Sequence, residues 1–479
     1  MWTPARIGGL AAACLVLIVG VMVYQNYFKM GDATRDDKMA GSDVTISDST
    51  KVESAEEYKD VYAYLEQYKK DQERDSAYTS SWARSLNDIR VDESADSKAS
   101  GTAAQNMEES STAAADTGMA SGSYSETNVR QEGVDEGDTA KTDGTYLYVL
   151  KDKSDQIAII DTRDNRMKQT ATITVEDVSE IQEMYLDIER NQLIAVCDGY
   201  VGGKWNDDDY GYGQKVNTTA VTYDISDRAD PKEVGRVSQS GYYNSSRIAD
   251  GYLYLFSDYY VTLDGITAKN PKSYIPLVND NLIKETDICL PSISKADMYS
   301  IITSVSLENP DETAHSKAFL ADGGNLYVSN DNIYFYENVW QYSGKDVTTI
   351  RKVSYESGKL TAGAQCKIDG YINDSFSIDE YDGYLRVVVT DGDTNSVYVL
   401  DQELKETGSI KGLAEDERVY SARFMGKVGY FVTFKETDPL FSVDLSDPKN
   451  SKDHRSVEDN LDFQIICIRY GKISFWVLG

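Results

Sequence analysis

Histidine is nearly missing from this chain, with two residues, His315 and His454, in 479. That excludes a three-His zinc site and leaves a Ser-His-Asp triad only His315 or a tail residue to stand on. Cysteine is sparse as well. Cys14, Cys197, Cys289, Cys366 and Cys467 are far apart and form no Cys-x-x-Cys pair, which argues against a zinc ribbon or redox centre. A disulfide among the middle three is left open. Basic charge is short, with 48 Lys and Arg against 80 Asp and Glu and a formal charge of −32. A field of that sign repels nucleic acid and anionic lipid headgroups, so nucleic acid is not an expected partner. Trp and Phe are few, at 5 and 11, whereas Tyr reaches 35. Tyr suits strands whose rings pack inward while the hydroxyl stays hydrated, and it suits sugar- or peptide-binding surfaces equally.

What the chain does contain is a recurring phrase: a turn ending in Asp-Gly or its equivalent, then a strand of alternating Tyr and aliphatic residues. It reads Asp143-Gly-Thr-Tyr-Leu-Tyr-Val-Leu150, Asp250-Gly-Tyr-Leu-Tyr-Leu-Phe256, Gly323-Gly-Asn-Leu-Tyr-Val328 and Asp382-Gly-Tyr-Leu-Arg-Val-Val-Val389. Looser copies begin at Glu189 and Gly426. Glycine accepts the positive φ of a tight turn, and the period-2 run that follows is a half-buried strand. Each copy leads to a following strand to pair with: Gln156–Asp161, Thr218–Asp227, Ile301–Leu307, Thr348–Tyr355 (reached through a further strand at Ile333), Ser396–Asp401 and Leu440–Asp447. The third pair is separated by a long insertion, about Thr262 to Ser292. Repetition every few tens of residues, with irregular spacing from loop insertions, predicts an all-β propeller of four-stranded blades.

The N-terminal quarter reads differently. Residues 1–6 form a short tail, and Ile7–Tyr24 is free of charge and long enough as a helix to cross a bilayer core. With Tyr24, Tyr27 and Phe28 at the far interface, 7–28 is expected to be an uncleaved transmembrane helix, with a cleaved signal peptide as the alternative. Arg6 ahead of the span and acidic sequence after Lys29 put the N-terminus inside and the rest of the chain outside the cytoplasmic membrane. Residues 29–126 are rich in Ser, Ala, Thr, Gly, Asp and Glu and read as a disordered spacer. One helix interrupts it, about 54–73, opened by the capping box Ser54-Ala-Glu-Glu57 and carrying Tyr58, Val61, Tyr62, Leu65 and Tyr68 on one stripe. That stripe needs a surface, either on its own domain or on a partner.

Thr127-Asn-Val-Arg-Gln-Glu-Gly-Val-Asp-Glu-Gly-Asp-Thr-Ala-Lys-Thr-Asp-Gly144 resembles the opening of a family of bacterial secreted or membrane-anchored β-propeller domains, distantly related to WD40 repeats. Asn373–Gly383, Tyr420–Phe424 and Thr437–Phe441 are similar to the same family. The resemblance covers about 124–450, implies a propeller outside the cytoplasmic membrane over 127–450, and brings no activity to carry onto these residues. The likeness stops after Pro448. Lys452–Asp459 and Asp462–Arg469 depart from the family's text, and back-translation in shifted frames permits that text. Residues 451–479 are therefore expected to be an out-of-frame tail, leaving the propeller one or two blades short and its end sheets uncovered.

No catalytic residue is assigned from sequence. Asp135, Glu136 and Asp138, three carboxylates in four residues, read as a ligand-orienting or calcium loop, or as acceptors for backbone donors ahead of the first strand. Asp391-Gly-Asp-Thr-Asn395 opens like a calcium loop but has Ser396 and Gln402 where Gly and Glu are needed. Asp207, Asp208, Asp209, Tyr210 and Tyr212 form an acidic, aromatic loop between two strands of the second blade, read as a solvated hairpin tip with a glycan or cation contact as the alternative. Calcium apart, no metal or cofactor is expected. The function expected is a non-enzymatic module, anchored in the membrane, that binds a cell-surface protein or glycan. The alternative is an extracellular polysaccharide hydrolase or lyase working through Asp and Glu.

Overall fold

The computed structural model describes residues 50–87, 129–163, 167–200, 216–290, 296–321, 324–340, 346–434, 440–449, 452–453, 466–470 and 473–477, all within the compact unit Thr45–Gly479. The expected membrane span Ile7–Tyr24 lies outside these residues. Among the described residues no helix is long and apolar enough to cross a membrane.

Six antiparallel sheets follow one another along the chain, each built on a four-stranded meander. Sheet I spans Ala140–Thr174, sheet II Glu180–Ser240, sheet III Tyr242–Leu320, sheet IV Asn325–Asp369, sheet V Ile378–Leu413 and sheet VI Arg418–Asp453. All six strand pairings expected from the repeat are present, for example Leu147 opposite Ile160, Leu253 opposite Val305 and Val387 opposite Tyr398. The turn chemistry is also as read. Asp250-Gly251 and Asp382-Gly383 are two-residue turns with positive φ throughout, 51° and 77°, then 51° and 79°, the backbone twist a tight hairpin requires. Asp391 pairs with Thr394 across the turn Gly392-Asp393, so the calcium-like spacing there is a hairpin tip.

Strict alternation decides which face each residue covers. In sheet III, Leu253 and Leu255 pack toward Tyr185, Ile194 and Val196 of sheet II, whereas Tyr254 and Phe256 pack toward Phe335, Val353 and Tyr355 of sheet IV. Five such cores join I to II, II to III, III to IV, IV to V and V to VI. Among the described residues no core joins VI to I. Leu147, Val149 and Ile160 on the outer face of sheet I, and Tyr430 and Val432 on that of sheet VI, are only half-buried. The last strand of sheet VI has two residues, Lys452–Asp453, and Ile466–Tyr470 pairs with Ile473–Val477 as a separate hairpin. The cysteines Cys197, Cys289 and Cys366 are buried and unpaired, which closes the question of a disulfide among them.

Residues ahead of the sheets clamp their outer edges. Thr50–Lys51 adds to the last strand of sheet IV, and Glu53–Ser54 adds to Ile288–Leu290, which runs parallel to the last strand of sheet III. The helix that follows is Tyr58–Asn87, longer and later than the expected 54–73. Ser54 is held in strand pairing with Cys289, so the capping box does not form. Asp60 instead accepts the backbone N–H groups of Glu56 and Glu57 at 3.2 and 2.9 Å. The apolar stripe docks on the insertion of sheet III: Val61 and Leu65 are fully buried among Tyr274, Ile275 and Ile283. Tyr58 donates to the Ile283 carbonyl at 3.0 Å and Tyr64 to that of Ala296 at 2.9 Å. The docked stripe makes this helix part of the folded unit.

Truncation of Leu65 to Ala removes its buried contacts and should cost about 2–5 kcal/mol of the docking energy. Hydrogen exchange will show this as faster exchange across 58–74 and across the Leu277–Leu290 insertion. Unchanged protection would mean the helix is held by something other than this stripe.

Candidate functional site

The motif that opens the repeat domain is a strap across the inner edges of the sheets. Arg130 donates to the carbonyl of Ile378 in sheet V and lies 4.4 Å above the ring of Tyr327 in sheet IV. Asp135 exchanges backbone hydrogen bonds with Ile248 of sheet III at 2.8 and 3.0 Å, and Asp138 with Met184 of sheet II at 3.1 and 3.0 Å. Gly133, at φ 90°, turns the strap beside Asn330. At Gly137 the Glu183 side chain lies where a Cβ would sit, with its Cδ 2.3 Å from that position, so no larger residue fits there without moving it.

The three acidic residues of the strap are engaged separately. Asp135 accepts the Glu136 N–H at 2.9 Å and lies 3.5 Å from Lys141. Glu136 lies 3.4 Å from Arg247, and Asp138 accepts the Thr139 N–H at 2.7 Å. They do not converge on one point. Among the described residues no group of three or more His, Cys, Asp or Glu could hold a metal ion. The second expected cluster, Asp207, Asp208, Asp209, Tyr210 and Tyr212, lies outside the described residues.

Beside the strap, the starts of the innermost strands of sheets III and IV and the loop leading into sheet V border an open cavity of about 500 Å³. Its lining includes Asn244, Arg247, Asp258, Asn325, Tyr336 and Asp374. Antiparallel pairing places Tyr242 opposite Asp258 and Asn325 opposite Tyr336, which brings these side chains to one end of their sheets. Asn244 donates to Asp258 at 2.7 Å and to the carbonyl of Gly324 at 3.1 Å, tying sheet III to sheet IV. Asp374 accepts the Phe376 and Ser377 N–H groups at 2.9 and 3.1 Å, capping a 3₁₀ turn at the rim. The cavity thus mixes amides, hydroxyls, one guanidinium and two Tyr rings, and holds neither His nor Cys.

Burial governs the electrostatics. It holds the Asp258 carboxyl above its ordinary value, partly offset by the donors Asn244 and Ser300. It raises Asp198 in the same way, against the N–H of Tyr243. A neighbouring cluster joins sheets II and III, where Ser246 donates to Glu183 and lies 2.9 Å from the Tyr185 hydroxyl. Burial, and next the Glu183 charge, push the Tyr185 and Tyr243 phenols well up. These phenols stay protonated and serve as donors.

The family described as beta propeller domain matches residues 124–453, the whole of the six-sheet region and the strap. The chain belongs to that family. An uncharacterised protein of Methanocaldococcus jannaschii is 27% identical over 412 residues, covering 69% of this chain and 61% of that protein. An uncharacterised protein of Archaeoglobus fulgidus is 40% identical over 139 residues, 28% of this chain and 22% of its own length. The chain therefore spans about three fifths of one relative and about a fifth of the other. Both relatives are archaeal, so the bacterial provenance suggested by the opening motif is not carried by them. Among solved structures, the β-propeller domain of the Trilobed protease from Pyrococcus furiosus, of open velcro topology, is 11% identical. It covers 66% of this chain and 84% of that one at a TM-score of 0.30, too loose a correspondence to carry an argument.

Within the propeller, the cavity residues Asn244, Asn325 and Asn373 do not read as a site in the sequence: Asn325 stands inside the repeat phrase, Asn373 inside a family motif, and a single Asn near a turn carries no ligand signal. The available signal was positional: each sits at or just before the innermost strand of sheets III, IV and V.

Ionised Asp258 is disfavoured in the folded state, so its contribution to stability is full below its ordinary pKa of 3.8 and is lost as pH rises through the higher folded value. Asp258→Asn removes that dependence. Denaturant titrations of both proteins across pH 4 to 7 should show the variant gaining on the parent as pH rises. A difference independent of pH would place Asp258 in a solvated setting.

Proposed function

We propose that this propeller is a non-enzymatic binding module that receives a cell-surface glycan in the cavity at the inner ends of sheets III, IV and V. The observation that carries this reading is the cavity lining. Asn325 and Ser375 keep an amide and a hydroxyl without side-chain partners among the described residues, and together these answer both the donor and the acceptor character of a sugar hydroxyl. Tyr243, half-buried beside them, adds aromatic surface on which a sugar ring packs. Hydrolysis or elimination gains nothing from the arrangement, because Asp258 and Asp374 each already accept at least two hydrogen bonds from the protein. The module is displayed outside the cytoplasmic membrane on the tether that follows Ile7–Tyr24, with the N-terminus inside, and its acidity keeps nucleic acid away.

A saccharide array probed with the purified protein should show binding with no release of shorter fragments. Asn325→Ala should weaken it about tenfold, the size of one good hydrogen bond. Fragment release that is lost on substituting a carboxylate would replace this reading with a hydrolase or lyase. Binding unaffected by Asn325→Ala and Ser375→Ala would move the site elsewhere.

A further inference from the structure

The cavity keeps unspent hydrogen-bond donors, and three arginines line or border it. In a protein of net charge −32, Arg247 is the one cation of the lining, beside the carboxylates Asp258 and Asp374, and Arg130 and Arg423 stand at the rim. Arg247 uses Nη1 for Ser245 and the Ser246 carbonyl, at 2.8 and 2.6 Å, and faces Glu136 through Nε. Its Nη2 has no partner among the described residues. Asn325 and Ser375, in the same lining, make no side-chain hydrogen bond among the described residues.

At the rim, Phe376 follows Ser375 and is 38% exposed. Two guanidinium groups lie against its ring, Arg423 at 3.8 Å and Arg130 at 5.1 Å from the centroid. Stacking satisfies their faces and leaves in-plane N–H groups for a planar acceptor. Arg423 spends one on the Ala422 carbonyl and Arg130 one on that of Ile378. Among the described residues neither enters an ion pair. Most other arginines of the propeller do: Arg228 with Asp143, Arg236 with Glu233, Arg351 with Glu337 and Arg386 with Asp379.

Resting on the reading of the cavity as a glycan site, we propose that the glycan is acidic, a uronate-type saccharide whose ring carboxylate is received by Arg247 and whose next charged unit meets Arg423 and Arg130 on Phe376. A carboxylate accepts a charge-assisted hydrogen bond from the remaining Nη2 of Arg247, and the neighbouring Asn325 and Ser375 then reach the ring hydroxyls. The two cavity carboxylates do not oppose this arrangement. Asp374 accepts the turn N–H groups that it caps, and Asp258 accepts from Asn244 and Ser300, so both carboxylates are turned to protein donors. A neutral saccharide would leave the guanidinium edges without an acceptor.

Calorimetry on the full chain with tetragalacturonate and with its methyl ester tests this. The acid should bind about tenfold or more tighter than the ester, and its affinity should fall with added salt while that of the ester does not. Arg247→Gln should bring the two ligands level. Because Arg247 also faces the strap, Arg423→Gln is the second variant: its side chain is exposed, it should leave the thermal unfolding temperature unchanged, and it should cost the acid several-fold. Equal binding of acid and ester overturns the charge assignment and leaves the glycan reading standing. Binding of neither fails the glycan reading itself. Binding of an oligoglutamate as tightly as the uronate shows a carboxylate site without sugar selectivity and overturns the proposal.

Discussion

A β-sheet with apolar residues on both faces cannot bury either of them alone, and nearly everything in this structure follows from that constraint. Alternation along each strand sends one set of side chains to the preceding sheet and the other to the following one, as Leu253 and Tyr254 do from adjacent positions. Five cores between six sheets result. The sheets at the two ends each carry one face that the described residues leave half-covered. Polar staples hold neighbouring sheets in register. The Asp143 carboxylate caps its own turn and meets Arg228 of sheet II at 3.2 Å, and Asp250 accepts the N–H of Ser357 in sheet IV at 2.6 Å.

Two segments ahead of the first sheet fasten the stack at opposite edges. Thr50–Ser54 and the helix after it tie the outer strands of sheets III and IV, and the strap Arg130–Asp138 runs over the inner strands of V, IV, III and II. The candidate site lies where that strap passes the starts of the inner strands. Its carboxylates are largely consumed as structural acceptors, and the functional potential rests on the Asn325 amide, the Ser375 hydroxyl, the half-buried Tyr243 ring and the arginine N–H groups that the fold has not used. An acidic chain has thereby kept a small donor-rich pocket within a surface of the opposite charge.

The propeller was legible because its determinants are local. Turn glycines and period-2 runs act over four to eight residues, and the six strand pairings follow from them. What could not be read depends on contacts across hundreds of positions. Ser54 looked like a helix cap until strand pairing with Cys289 claimed its backbone, and Asp60 took over the capping. The helix begins at Tyr58 for that reason. Asp135, Glu136 and Asp138 looked like a cluster because they are adjacent in sequence, but the extended strap points successive side chains apart. Asn244, Asn325 and Asn373 form a site only because three sheets bring equivalent strand starts together, and no spacing rule connects residues about 80 and 50 positions apart.

The account turns on where a ligand sits. A crystal structure of the protein with a bound acidic oligosaccharide measures that directly. The account predicts ordered sugar in the cavity beneath the strap, its carboxylate on Arg247 and its hydroxyls on Asn325 and Ser375. Sugar ordered instead along the edge of sheet VI or over the outer loops, with the cavity holding solvent, would contradict it.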